Sequence, residues 1–329
     1  MKTVRIETPS RLHFGLIDLT GRLGRIDGSI GLTLEKPSFV LEARKAERVE
    51  AVGAGVHQER VERLAKRLRA LWKVGGVHLR YEETIPAHVG LGSGTQAALS
   101  VIHALAALYE VSLSAKEAAR LSGRGGASGI GLYAFEKGGF LVDGGHRWPS
   151  QKADFLPSAA AESVGPGPLL LRRNFPDWKM LLISPRARQV SGEEEKRLFR
   201  SKCPMPPRAA ERISHLLMMS LLPALAENDM PTAAAALDAM GTAGWKKVEW
   251  EIQEPIVRET AERLRKEGAY GVAMSSWGPT MAVFGERLEE LQLTADRFLK
   301  KAGNSGFTRI VRANNRGATI EVAERDAAP

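Results

Sequence analysis

One loop limits what this chain can become more than any other feature: Pro86-Ala87-His88-Val89-Gly90-Leu91-Gly92-Ser93-Gly94-Thr95-Gln96. Before it, Val77, Leu79 and Tyr81 alternate as a strand. After it, Leu99, Ile102, Leu105 and Leu108 recur at helical spacing and predict a helix over Thr95–Tyr109. Glycines between a strand and a helix let successive backbone N–H groups converge on an anion, and the helix start adds its partial positive charge. Ser93 and Thr95 add hydroxyl donors, so Gly90, Gly92, Ser93, Gly94 and Thr95 read as a phosphate cradle. No lysine follows the last glycine, which excludes a Walker A loop, and the dinucleotide spacing G-x-G-x-x-G is missing. A tight turn is the plainer meaning of the same glycines.

Around this loop the chain alternates strands and helices. An alternating strand beginning at Val4 and Ile6 runs into Pro9-Ser10-Arg11-Leu12-His13-Phe14-Gly15. A second apolar run, Ile30–Leu34, ends at Pro37, and Phe39–Ala43 reads as a further strand. Val61, Leu64, Leu68 and Leu71 predict a helix over 58–72, stopped by Gly75-Gly76, and Ser114-Ala115-Lys116-Glu117 is a capping box opening another helix. Leu156–Pro168 is rich in Pro, Gly, Ser and Ala without a hydrophobic period and reads as a linker, which divides the chain into 1–166 and 167–329. The second half carries a buried strand, Met180–Ile183, and helices near 208–227, 231–244, 255–267 and 286–302. Its other strands are Val272–Met274, Met281–Phe284, Thr308–Arg312 and Ala318–Val322. Strands alternating with helices, partly as hairpins, predict a two-domain α+β fold.

Composition narrows the function. The 329 residues are 43% hydrophobic and 26% charged, enough to build a sizeable core. The single cysteine, Cys203, can form no internal disulfide and no zinc finger, which points to the cytoplasm. The opening MKTVRIETPSRLHFG alternates charged and apolar residues, unlike a secretory signal. The longest weakly polar stretches, Ala97–Tyr109 and Leu216–Ala226, fall short of the roughly 20 residues of a membrane span. A net charge of +9 is spread over both halves and alternates with glutamate on helical segments such as Glu59–Arg69. With aromatics at only 6%, this is a solvated surface or a preference for anionic small molecules, not a nucleic-acid arm.

Two further loops carry chemical potential. Gly123-Arg124-Gly125-Gly126-Ala127-Ser128-Gly129-Ile130-Gly131 surrounds one arginine with glycines. Arg124 can contact a phosphate or carboxylate in bidentate fashion, with Gly125, Gly126 and Ser128 beside it. A flexible surface loop is the other reading. Ser275-Ser276-Trp277-Gly278-Pro279-Thr280 offers the hydroxyls of Ser275, Ser276 and Thr280 between two apolar strands, where a plain hairpin would favour Asn-Gly or Asp-Gly.

Together these loops resemble the GHMP small-molecule kinase superfamily, whose proline-led Gly-Leu-Gly-Ser loop wraps nucleotide phosphates and whose late glycine turn supports the site from the second domain. Pro9–Gly15 is similar to its opening strand. The resemblance implies a GHMP-kinase-like fold in both halves. Two departures bear on activity. The superfamily pattern Ser-Gly-x-Asp falls on Ser128-Gly129-Ile130-Gly131, leaving Gly131 where the carboxylate would act. A lysine used by some members falls on Arg11, which is a poor proton acceptor and a good anion clamp. The runs SRLHFGLIDL, RIDGSIGL, GLGSGTQ, GRGGASGIG, GGFLVDGGH and MSSWGPT resemble the branch of β-ribofuranosylaminobenzene 5′-phosphate synthases in tetrahydromethanopterin biosynthesis. That branch implies coupling of phosphoribosyl pyrophosphate to 4-aminobenzoate, or 4-hydroxybenzoate in some members, with release of pyrophosphate and CO2. An ATP-dependent small-molecule kinase is the alternative, and a basic RNA-binding or regulatory protein on the same fold a third. The acidic pair followed by Thr-Gly-x-Thr that ordinary phosphoribosyltransferases use is absent.

In that reaction the ring attacks through the carbon bearing the carboxylate, so no proton leaves that carbon and the missing kinase base at Gly131 is tolerated. Arg11 and Arg124 are expected to stabilise the departing diphosphate, and Asp27 and Asp143 to face the cationic sugar. Asp18 and Asp143 are candidate ligands for Mg2+, whose hard oxygen chemistry suits carboxylates. Asp27-Gly28 and Asp143-Gly144 are equally favourable turn pairs, and Asp18 equally a surface residue. His13 is a candidate donor to phosphate, balanced against a structural role, as is His146; His57, His78 and His103 read as structural. Met205 and the run containing Met218 and Met219 read as core or dimer packing, giving a homodimer as the expected assembly. Glu193-Glu194-Glu195 reads as a solvated helix start, with a mobile acidic loop near the cleft as the alternative.

Overall fold

The computed structural model describes residues 2–157, 160–161, 164–190 and 192–324. Two long strands, β1 (Lys2–Asp18) and β2 (Arg25–Ala46), form a hairpin that dominates the first half. The runs Ile30–Leu34 and Phe39–Ala43, expected as separate strands, are one strand in the structure. The register of β1 passes from Ser38 opposite Pro9 to Leu34 opposite Ser10, so Glu35–Pro37 bulge out of the ladder. Pro37 has no N–H to give, and a bulge is where a strand tolerates it.

The chain continues through β3 (Glu50–Val52), α1 (Gln58–Trp72), β4 (Gly76–Glu83), α2 (Ser93–Tyr109), α3 (Ala115–Ser122), α4 (Ile130–Lys137), β5 (Phe140–Asp143), β6 (His146–Arg147) and β7 (Leu169–Arg173). The second half holds β8 (Lys179–Ser184), α5 (Glu193–Lys202), α6 (Pro207–Leu216), a π turn (Leu217–Leu221), α7 (Leu222–Glu227) and α8 (Met230–Met240). After these come α9 (Gly244–Ile252), α10 (Pro255–Lys266), β9 (Gly271–Met274), β10 (Met281–Phe284), α11 (Leu288–Lys301), β11 (Phe307–Arg312) and β12 (Thr319–Glu324). An eight-stranded sheet runs β12-β1-β2-β4-β3, with β5 and β6 also on β2 and β7 on β5. A four-stranded antiparallel sheet runs β11-β8-β10-β9. The fold is therefore α+β, as expected.

Strands cross the expected division after Pro166. β7 adds to β5 and β12 to β1, so the second half returns twice to the first sheet. Residues 158, 159, 162 and 163 of the expected linker lie outside the described residues, and the described part is pinned. Tyr133 Oη donates to Gly167 O at 2.5 Å, and Gly126 is so close to Ala161 that a Cβ there would stand 2.2 Å from its carbonyl oxygen. The single helix expected over 208–227 widens into the π turn, where the Leu222 N–H reaches back to Leu217 O just before Pro223, which has no N–H to continue the ladder. Leu217 and Leu221 are buried there, whereas Met218 and Met219 are exposed.

α2 is apolar on nearly every side because it is sandwiched between the hairpin and α1, α3 and α4; the expected stripe of Leu99, Ile102, Leu105 and Leu108 is buried together with Val101 and Ala104. Over the second sheet, Val257, Ala261 and Leu264 of α10 and Leu291, Ala295 and Leu299 of α11 pack on Leu181, Ile183, Val272 and Val283. Gly31 of β2 sets how closely α4, and with it the loop before it, sits on the sheet: a Cβ there would meet Ile130 Cγ2 at 2.3 Å and Leu12 O at 2.7 Å. Gly31→Ala should lower stability by about 1–3 kcal/mol, read as a shifted urea midpoint at unchanged slope; an unchanged midpoint would show that α4 moves freely.

Candidate functional site

Strand β1, the glycine loop and the turn between β9 and β10 meet through backbone atoms. The Ser275 hydroxyl accepts the His13 N–H at 2.9 Å and donates to Gly90 O at 2.6 Å, while the Ser276 N–H donates to His13 O at 2.8 Å. Gly90 has φ +86°, and a Cβ there would lie 2.3 Å from Ser275 O, so only glycine allows the contact. From β1, the Arg11 N–H donates to Leu91 O at 3.1 Å and its Nη1 to Gly90 O. Gly92, also at positive φ, precedes α2 and lets the Arg11 side chain lie against it. Thr280 is buried and bonds Ser184 Oγ at 3.0 Å, tying the turn to β8. Ser275 and Thr280 thus hold the loops together, and neither lines a cavity.

Two cavities open at this junction. The larger, about 360 Å³, is floored by Gly90, Gly92, Ser93, Gly94 and Thr95 and flanked by His57, Arg60 and His88. The smaller, about 180 Å³, is lined by His13, Gly125, Ser128, Gly131, Phe199, Trp245 and Glu249 among others. Arg11, Thr95, Arg124, Glu195, Ser276 and Trp277 belong to both and form the wall between them. A Cβ on Gly94 would lie 3.0 Å from Arg124 Nη2 and 3.3 Å from Arg60 Nη1, so the bare glycine brings two guanidiniums over the start of α2. Burial, with Arg124 adding to it, pushes the Arg11 guanidinium down to about 10, still charged at neutral pH. Burial and the nearby Arg60 push His57 down to about 4, so it is neutral, and its Nε2 has no hydrogen-bond partner. In the lining of the larger cavity three arginines, Arg11, Arg60 and Arg124, stand against one carboxylate, Glu195.

The aspartates lie elsewhere. Asp27, at φ +67° and fully buried, takes His146 Nδ1 at 2.6 Å and Lys152 Nζ at 2.9 Å. The two His146 nitrogens face oxygens, Asp27 Oδ2 and, at 2.9 Å, Gly165 O. Asp143 accepts from the Ser29 hydroxyl and from the N–H groups of Gly129 and Gly145, each at 3.0 Å, and Ser29 in turn lies 2.7 Å from Ser128 Oγ. Asp18 accepts the Thr20 N–H at 2.6 Å near the hairpin turn. None of the three lines either cavity, because their oxygens fasten loops. Gly126, likewise, packs on the chain crossing at Ala161.

The carboxylates that do line the smaller cavity, Glu195 and Glu249, were not among the expected site residues. Glu249 forms a buried ion pair with Lys246, whose Nζ also donates to Ser276 O at 3.1 Å. Burial pushes the Glu249 carboxyl up and the Lys246 ammonium down, and each pulls the other back. Glu195 Oε1 accepts Trp277 Nε1–H at 2.9 Å, and burial raises its carboxyl. Phe199, Trp245 and Trp277 also line this cavity, with ring centroids 4.2 Å apart for the tilted Phe199–Trp245 pair and 5.6 Å for the edge-to-face Trp245–Trp277 pair. Gly131 leaves bare backbone beside Thr95, whose Cγ2 would be 3.1 Å from a Cβ. Among the described residues no group of three or more His, Cys, Asp or Glu could hold a metal.

Residues 59–139 match the GHMP kinases N terminal domain and residues 221–304 the GHMP kinases C terminal domain. The chain is 38% identical to the beta-ribofuranosylphenol 5'-phosphate synthase of Methanocaldococcus jannaschii, over 96% of this chain and 99% of that protein. It is 37% identical to the protein of the same name from Archaeoglobus fulgidus, over 97% and 100%. A solved L. major mevalonate kinase in complex with R-mevalonate superposes with a TM-score of 0.67 over 94% of this chain and 96% of that one, at 13% identity, a likeness of fold alone.

Two stability measurements test the aspartates' role. Asp27→Asn strands Lys152 and His146 without their anion and should cost about 3–5 kcal/mol, partly restored by adding Lys152→Met; equal stability of single and double variants would refute the pairing. Burial holds the Asp143 carboxyl at about 6, above its unfolded value near 3.9. The folded state therefore binds that proton more tightly, and the resulting stability is present below about pH 4 and lost as pH rises through about 6. The stability difference between wild type and Asp143→Ala should shrink from pH 4 to pH 7 in urea melts; growth instead would overturn the assignment.

Proposed function

Because the chain belongs to the beta-ribofuranosylphenol 5'-phosphate synthase family of GHMP-fold proteins, we propose that it joins phosphoribosyl pyrophosphate to 4-hydroxybenzoate or 4-aminobenzoate, releasing pyrophosphate and CO2, in tetrahydromethanopterin biosynthesis. The relatives' printed name, a ribofuranosylphenol, favours the hydroxyl compound. The observation that carries this reading is the pair of adjoining cavities, one lined for an anion and one for a small ring, divided by Arg11 and Arg124. The diphosphate lies along Gly90–Thr95 with the backbone N–H groups at the start of α2 turned to it. As the bond to the anomeric carbon breaks, charge grows on the leaving oxygens, where Arg11 and Arg124 stand preorganised; one such donor contributes roughly 3–4 kcal/mol. His57, neutral and unpartnered at Nε2, offers a further contact without adding charge. Gly131 fits the chemistry, since the attacking carbon sheds CO2 and not a proton.

Magnesium belongs to this proposal as the counter-ion of the diphosphate. Asp18, Asp27 and Asp143 are committed to loops, and Glu195, at the shared wall with one oxygen still open, is the carboxylate placed to hold it. One protein carboxylate suffices for an ion that keeps several waters. When bound, it would neutralise charge on the leaving diphosphate. We place the enzyme in the cytoplasm; no described helix is long and apolar enough to cross a membrane. A homodimer covering the exposed Met218 and Met219 is part of the same reading.

The test is release of CO2 from carboxyl-labelled 4-hydroxybenzoate, expected only when phosphoribosyl pyrophosphate is also present. Arg11→Met and Arg124→Met should each lower kcat/KM by about 10²–10³ with thermal stability retained. Phosphoryl transfer from ATP to a small alcohol, without any arene coupling, would replace this reading with a kinase.

A further inference from the structure

We propose that the smaller cavity seats the benzoate acceptor with its carboxylate toward Arg11 and Arg124 and its para hydroxyl on the imidazole of His13, which takes up the hydroxyl proton as the ring attacks. This rests on the function proposed above. The cavity, about 180 Å³, is the right size for one ring, since an apolar cavity of about 150 Å³ holds benzene. Trp245, Trp277 and Phe199 give it an aromatic wall.

Strand geometry sets the polar ends. Arg11, Leu12 and His13 pair regularly with Thr33, Leu32 and Gly31, so Arg11 and His13 share one face of β1 while Leu12 is buried in the core. Residues two apart on a strand stand about 7 Å from each other, comparable with the span from carboxylate to para oxygen of a benzoate. His13 is 7% exposed and lines the cavity, and its Nδ1 has no hydrogen-bond partner. Burial, then the positive charges of Arg11 and Lys246, hold it well below the ordinary histidine range and therefore neutral, able to accept.

The chemistry balances. The ring carbon bearing the carboxylate bonds to the anomeric carbon as the bond to diphosphate breaks, and the hydroxyl proton passes to His13, leaving a cyclohexadienone. The bond to CO2 then breaks, and its electron pair restores the aromatic ring as a phenolate, which takes the proton back from the imidazolium. Attack withdraws electrons from the ring and makes the hydroxyl far more acidic than in a free phenol, so a weak base suffices. An amino group can donate in the same way.

The experiment compares wild type, His13→Phe and His13→Gln, titrated calorimetrically with 4-hydroxybenzoate and with unsubstituted benzoate in the presence of inorganic pyrophosphate, and assayed for labelled CO2. Retained pyrophosphate binding certifies the fold of each variant. Wild type should prefer the hydroxylated ring by about tenfold, and His13→Phe should lose that preference. His13→Gln, which accepts a hydrogen bond but no proton, should keep the preference while turnover falls at least about a hundredfold. Should wild type turn over and His13→Phe keep both preference and rate, this proposal fails while the functional reading stands. Absence of arene binding and turnover in wild type removes both.

Discussion

A single hydroxyl joins the three segments on which the cleft depends. Ser275 accepts from the backbone of β1 and donates to the backbone of the glycine loop, across a gap that only Gly90 leaves narrow enough. Because each of these bonds ends on a main-chain atom of β1 or of the glycine loop, the one hydroxyl fixes both backbones against the turn that carries Ser276 and Trp277. The two cavities are the space left on either side of that junction, which is why they share a wall and why a group held in one lies next to a group held in the other.

Charge is divided between cavity lining and loop anchors. At the larger cavity Arg11, Arg60 and Arg124 approach the start of α2 over residues with no side chain. The buried aspartates sit behind it and bind loops: Asp27 gathers His146 and Lys152, and Asp143 gathers Ser29, Gly129 and Gly145. Gly131 brings no carboxylate to the smaller cavity, and the acids in its lining are Glu195 and Glu249 instead.

Local features were legible in the sequence. The glycine loop, the hydroxyl turn and Arg124 announced themselves because strand-loop-helix order and turn chemistry are short-range properties, and the helices carried their apolar spacing openly. What escaped depends on contacts between distant segments. Asp27 and Asp143 looked like site carboxylates because acidic residues beside glycines serve equally as loop anchors, and only the partners distinguish the two. Glu249, Lys246 and Trp245 gave one faint signal, a charged pair three apart on a helix that also buries Trp245 and Val248. Glu195 was hidden in an acidic run that resembles any solvated helix start, and His57 gave no local sign of facing an anion. The return of the last described strand to the first sheet was hidden for the same reason, since nothing in Thr319–Glu324 says which strand it will join.

That last pairing has a temporal side. β1 carries Arg11 and His13, yet its outer neighbour is β12, with Lys2 opposite Glu324. The first described strand is flanked on that side by the last, so this sheet acquires its full width only after every intervening element exists. Contacts of such sequence separation slow assembly. A nascent chain thus carries the outer edge of Lys2–Glu7 unpaired until Thr319–Glu324 has been made.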